Sequence, residues 1–335
     1  MNAMNAELKQ ALLQSRLCKY LDLNDLDMLI TYSKIITFKA GEEILAQGRI
    51  CNGTYIIIEG EALVTAKVLG VGMINITVLD KGSFIGEISQ LLKTASTVSV
   101  VAKTAMECLF VTSSYFDMLT SFFPATKYKI GKAVLEDVSF RQKNLHKKIT
   151  AFLSQSHMVS KSMFGEVIQS LNWPRQIELQ DLKINYSQLR QMHFFSDFTD
   201  EQLDILFAHS EVLDAARHCT IIREGEKAPV CYLIMRGAVQ SSVRQINKIA
   251  KLSVLSPLQL FCCMSFIDGT PSLFDFTTCE RTILLKFTPE NMEDLKERNT
   301  EIWYLLHDEI CKSFAALEQA VSKLDIRLNS ELYNR

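Results

Sequence analysis

No stretch of this 335-residue chain stays apolar long enough to span a bilayer, and its opening, MNAMNAELKQALLQSRLCKYL, has no apolar run of the secretory kind. A cytoplasmic protein with no membrane span is therefore expected. The nine cysteines form no CxxC pair and no Cys/His ligand spacing, so no metal is read and no cofactor is expected. They read as reduced and mostly buried, with Cys262-Cys263 the sole adjacent pair. Six dispersed histidines make no catalytic triad, and no phosphate loop occurs, which points away from an enzyme. Charge of one sign is not in excess either. Against 36 basic residues stand 38 acidic ones, a net −2, and a general nucleic-acid-binding surface is not expected.

What the chain does have is a repeat. DLNDLDMLI (Asp22 to Ile30) matches DFTDEQLDILF (Asp197 to Phe207), with Leu26 over Leu203. The same offset pairs Gly48 with Gly225 and Gly60 with Gly237. After a one-residue slip, VLDKGSFIGEISQLLKTAS (Val78 to Ser96) lies over VLSPLQLFCCMSFIDGTPS (Val254 to Ser272), and Leu109 and Leu119 fall on Leu285 and Leu295. Each copy opens on a short helical pattern and continues in short Ile/Val/Tyr-rich segments broken by glycine. Thr54 to Ile58 and Ala62 to Val68 predict a strand pair about Gly60, and Tyr232 to Met235 and Ala238 to Val243 repeat it about Gly237.

The fold class is therefore mainly β with α: two tandem antiparallel jelly-roll barrels, each with flanking helices and a long C-terminal helix. The first domain is placed at 10–153, a helical connector bent at Trp173-Pro174 at 154–191, and the second domain at 192–335. Ile302, Leu306, Ile310, Phe314, Leu317, Val321 and Leu324 make an apolar stripe on the last helix. That stripe serves either its own core or the seam of a homodimer.

Glycine-punctuated strands followed by GSFIGEISQLL, a Thr-Ala-Ser-Thr tract and VAKT resemble the cyclic-nucleotide-binding domain family, which includes kinase regulatory subunits and bacterial catabolite activators. The resemblance implies a cyclic nucleotide or another small anion as ligand. It assigns the start of a phosphate-facing helix to Gly86, Glu87 and Ile88, with Glu87 as acceptor for the ribose hydroxyl. The arginine that pairs with phosphate in the family falls on Ser96, and Thr97 beside it is left as a hydrogen-bond donor. Lys93 is the nearest cation and reads better as a solvated turn lysine. A hydrogen bond to a charged group contributes about 1.5–3 kcal/mol, so this loss predicts roughly ten- to 150-fold weaker binding.

The second copy departs further. Cys262-Cys263 replace Gly-Glu, Ser272 stands at the arginine position, Leu273 and Phe274 fill the space, and Asp275 adds a charge that repels an anion. No cation is read there. The regulatory expectation is thus a non-enzymatic protein binding cAMP or cGMP weakly, in its first domain alone. The alternative is a protein-interaction scaffold in which neither domain binds a nucleotide, and a protein partner is expected under both. Neither a helix-turn-helix after the last helix nor an Arg-Arg-x-x motif before the first barrel is read.

Overall fold

The computed structural model describes residues 8–10, 12, 16–155, 173–182, 185–245 and 248–333. Two compact units divide the chain: Met1–Arg141 with Phe314–Arg335, and Gln142–Ser313. These bounds differ from those expected. The end of the first long helix, Pro124–Gln155, goes with the second unit, and the later part of the last helix, Thr300–Tyr333, goes with the first.

In the first unit the strands are β1 (Ser33–Phe38), β2 (Glu43–Leu45), β3 (Gly53–Glu59), β4 (Ala62–Val68), β5 (Gly72–Leu79), β6 (Phe84–Ile85), β7 (Ser99–Ala102) and β8 (Met106–Thr112). They form two four-stranded sheets, β1-β8-β3-β6 and β2-β7-β4-β5, with every pairing antiparallel. Ile57 from one sheet and Val64 and Val100 from the other belong to one buried cluster, as in a sandwich whose inner faces share a core.

The second unit repeats the plan with β9 (Arg175–Ile177), β10 (Glu211–Ala215), β11 (Thr220–Ile222), β12 (Cys231–Arg236), β13 (Val239–Gln245), β14 (Lys248–Leu255), β15 (Leu260–Phe261), β16 (Asp275–Thr278) and β17 (Thr282–Phe287). Its sheets run β15-β12-β17-β10-β9 and β11-β16-β13-β14. Strand order matches the first unit except for β9, added on the edge beside β10.

Local chemistry repeats as well. Asp22 caps the helix Leu23–Thr31 by accepting from the amides of Asn24 and Asp25, both at 3.0 Å, and the Asp25 carboxylate accepts from the Asp22 amide in return. Thr199 and Gln202 make the same reciprocal pair at the start of Asp200–Ala208. At the hairpin turns Gly60 (φ +89°) and Gly237 (φ +93°) hold a left-handed backbone. A Cβ on Gly60 would sit 2.5 Å from the Ala105 carbonyl, and one on Gly237 2.7 Å from that of Arg281, so no larger residue fits either turn.

Two expectations need correction. The connector is helical only in part where it is described. Pro174 favours extended backbone before it, and Arg175–Ile177 pair with β10 as an edge strand, followed by a 3-10 turn at Leu179–Leu182 and a single helical turn at Tyr186–Leu189. MFGEVIQSL lies outside the described residues. The cysteines are not all reduced: Cys231, the first residue of β12, and Cys263, two residues beyond the neighbouring strand β15, form a disulfide with their Cα atoms 4.7 Å apart. On the last helix Ile302, Leu306, Ile310, Phe314 and Val321 of the stripe are buried, while Leu317 and Leu324 are half-buried. No described helix is long and apolar enough to cross a membrane.

Candidate functional site

In the first unit β6 ends at Ile85, and Gly86, with φ +86°, turns the chain into the helix Glu87–Leu92. A side chain here would meet the Cys51 thiol at 2.9 Å and would strain the left-handed backbone. Glu87 follows and is buried. Its carboxylate does not wait for a ligand: it accepts a hydrogen bond from the Arg141 guanidinium on the first long helix. Asp137 and Glu318 complete the cluster, with carboxylate oxygens 3.8 and 3.7 Å from Arg141 Nε.

One guanidinium thus faces three buried carboxyls. Burial opposes the charge of Arg141, but attraction to Glu87, Asp137 and Glu318 outweighs it and raises its pKa. Burial pushes Glu87 up despite its pairing, and pushes Glu318 up to about 7. One cation faces three neighbouring carboxyls out of water, and burial favours the protonated forms of Glu87 and Glu318.

Ile88, the next residue of the helix, is half-buried. Its neighbours are spent on the protein too: Gln90 accepts from the Ser113 hydroxyl at 2.6 Å, and Ser89 donates to the Thr94 carbonyl. Ser96 and Thr97 lie in the segment leading into β7. The Ser96 amide donates to the Arg49 carbonyl at 2.9 Å, its carbonyl accepts from Gly48 at 2.8 Å, and its hydroxyl donates to the Val98 carbonyl at 2.7 Å. Thr97 is half-buried, and Lys93 is an exposed turn residue with φ 51°. Gly86, Glu87 and Ile88 are adjacent on one helix start, while Ser96, with Thr97 next to it, is fixed by the loop around Gly48.

Sequence spacing does not reveal Arg141, because it lies 54 residues from Glu87 on another element, the first long helix. Arg49, exposed and with no ion pair among the described residues, was missed for the same reason. Only the folded loop sets it against Ser96.

The second unit keeps the frame and replaces the contents. Ser272 repeats the bonds of Ser96: amide to Glu226 at 2.9 Å, carbonyl from Gly225 at 2.8 Å, hydroxyl to Phe274 at 2.7 Å. Cys262 holds the left-handed backbone of Gly86 with φ 67°, although it carries a side chain. Cys263, at the place of Glu87, is bridged to Cys231. Phe274 is 2% exposed and meets Phe276 and His146 edge-on, while Leu273 is half-buried. The expected repulsion from Asp275 is corrected. Asp275 is buried, but Arg244 donates to it from Nε at 3.0 Å and Nη2 at 2.8 Å, and the Glu224 amide adds a third bond at 2.8 Å. The cation comes from β13, far away in sequence. His146 reaches Glu224 at 2.8 Å and closes the polar ring beside the Phe274 plug.

Several solved structures are similar to this chain. The regulatory domain of Toxoplasma gondii PKA with cAMP is 14% identical, with 91% of this chain and 96% of that one covered and a TM-score of 0.33. The regulatory subunit of a cAMP-independent protein kinase A from Trypanosoma cruzi, bound to guanosine, is 15% identical over 90% and 86%, with a TM-score of 0.32. The Thermus thermophilus catabolite activator protein is 22% identical over 41% and 64%, with a TM-score of 0.36. No curated protein matches the sequence. The profile of the cyclic nucleotide-binding domain matches residues 35–121 and again 213–299. Matched in both copies and over more than half its length, the chain belongs to the cyclic nucleotide-binding domain family.

Proposed function

We propose that this is a non-enzymatic regulatory protein that binds a cyclic nucleotide at most weakly, through Gly86, Glu87, Ile88, Ser96 and Thr97 of its first unit, and acts mainly through protein contacts. The observation that carries the reading is the Glu87–Arg141 pair. A ribose hydroxyl would have to compete with a charged donor inside a buried cluster, and a phosphate would find Ser96 where a cation is wanted. Each loss is about 1.5–3 kcal/mol. In the second unit the Phe274 plug and the bridged Cys263 leave no acceptor for a ribose. Those two features favour the scaffold as second reading, with neither unit taking a nucleotide.

Calorimetry on the whole chain with cAMP, cGMP and guanosine tests this. Wild-type protein should bind the cyclic nucleotides no tighter than about 100 μM, and Ser96→Arg should tighten them roughly ten- to 150-fold. Micromolar or tighter binding by the wild type would overturn weak binding. A folded Ser96→Arg protein that stays silent at millimolar nucleotide would hand the decision to the scaffold. Guanosine lacks the phosphate and so gains nothing from the new arginine, which makes it the internal control.

A further inference from the structure

The second unit has a cleft of about 710 Å³, lined by β9, Leu182, the Gly237 turn and the start of β17, and containing none of the candidate nucleotide-site residues. Its size lies within the roughly 300–1,000 Å³ of small-molecule sites. Ile177, Met235 and Ile283 give it apolar wall, and Arg175, Arg236 and Arg281 bring three guanidinium groups to it.

Charge inside this cleft is unevenly matched. Asp214 is nearly buried, and Arg281 grips it with both nitrogens, at 2.9 and 2.6 Å. Arg175 stands 4.0 Å from the same oxygen, so one carboxylate draws two guanidinium groups together. Arg236 has no ion pair among the described residues. Asp181 and Glu280 also line the cleft, but both are exposed and neither pairs with these arginines. β12 breaks register between Ile234 and Arg236, and such a bulge re-aims the residue that follows it.

The first unit shows that the fold itself does not require this. Asp214 and Arg236 both pair with Ile283. In the first unit Thr37 and Glu59 pair with Glu107 in the same register, and Ala105 stands for Arg281. One copy therefore carries acids and small residues where the other carries a forked arginine cluster, and only the second sheet gains the edge strand β9 that contributes Arg175.

We propose that this cleft binds a small organic oxyanion, a phosphate monoester or a carboxylate on an apolar body. Arg236 and Arg175 donate to the anion, Arg281 is held in place by Asp214, and the apolar wall takes the body. Guanidinium forks match the planar or tetrahedral oxygen pairs of both groups.

Calorimetric titration of the full chain with phenyl phosphate, benzoate and benzyl alcohol tests it, whatever the first unit does with nucleotides. The expected result is saturable binding of at least one anion at about 1 mM or tighter, and none of the neutral alcohol at that level. Arg236→Gln should weaken the anion about tenfold or more, Arg236→Lys less, and Arg175→Gln in the same direction. Glu59→Gln in the first unit should change nothing. Phenyl phosphate binding the tighter identifies a phosphate ester, and benzoate a carboxylate. Failure of both anions to saturate by about 10 mM, equal binding of the alcohol, or affinity unmoved in the folded Arg236→Gln and Arg175→Gln proteins would each overturn the site.

Discussion

Glu87 in the first unit and Cys263 in the second occupy the same place at the start of the same short helix, and each is tied down differently. Glu87 is held by Arg141 within a cluster of buried acids, Cys263 by a covalent bridge to β12. Around them the backbone scarcely differs. Ser96 and Ser272 make the same three bonds, and Gly86 and Cys262 share a left-handed turn. The barrel thus keeps its turn geometry whether its interior is closed by ions or by apolar packing. A frame set by backbone hydrogen bonds tolerates exchange of its side-chain contents, provided every buried polar group finds a partner. Asp275 shows the rule: the charge entered the second copy, and Arg244 meets it.

The largest way to break this comparison is to remove the cation from the ionic copy. Arg141→Met leaves Glu87, Asp137 and Glu318 buried together and should cost about 3–5 kcal/mol at pH 8. Glu318, with a folded pKa raised to about 7 by burial, stabilises fully below the ordinary glutamate range, and that contribution is lost as pH rises through about 7. Glu87 is shifted in the same direction. Without Arg141 the acids are raised further, so the variant's stability should fall more steeply between pH 5 and 8 than the wild type's. Urea melts at the two pH values decide the matter; an equal loss at both would mean that the acids do not depend on Arg141.

The apolar copy gives the next effect. Phe274→Ala should cost about 3–5 kcal/mol, because it opens a cavity in a packed barrel. Val98→Ala, the matching change in the first unit, removes less from a side chain only half-buried and should cost about 1 kcal/mol. Thermal melts with equal small shifts would sink the asymmetry.

The smallest effect sharpens the shared turn. Cys262 stands at φ 67°, where a side chain costs roughly 1–2 kcal/mol, so Cys262→Gly should stabilise by up to about 1 kcal/mol after lost packing is subtracted. Gly86→Cys should destabilise, since its Cβ would meet the Cys51 thiol at 2.9 Å. Opposite shifts in melting temperature are expected, and shifts of one sign would show that the two turns are not equivalent.

Much of the fold was legible because it is written locally. Strand periodicity about Gly60 and Gly237 and the matched glycines act within a few residues, where sequence spacing and physical contact coincide. The site was less legible. Gly86 and Glu87 could be placed on a helix start, but that Glu87 is engaged could not be read, because its partner comes from another element. The connector misled for a related reason: Arg175–Ile177 falls within the segment read as helical, and the open edge of β10 takes it up as a strand.

By itself, then, the sequence determined two copies of a glycine-punctuated barrel, with Ser96 and Ser272 in matching places and Phe274 where the first copy has Val98. Tertiary structure alone decided which charges meet. Arg141 reaches Glu87 across 54 residues, Arg244 reaches Asp275 across 31, and Cys231 closes on Cys263 across 32. Propensity and periodicity act between near neighbours along the chain, whereas ion pairing and bridging depend on distance in space, which is set only once the sheets have closed.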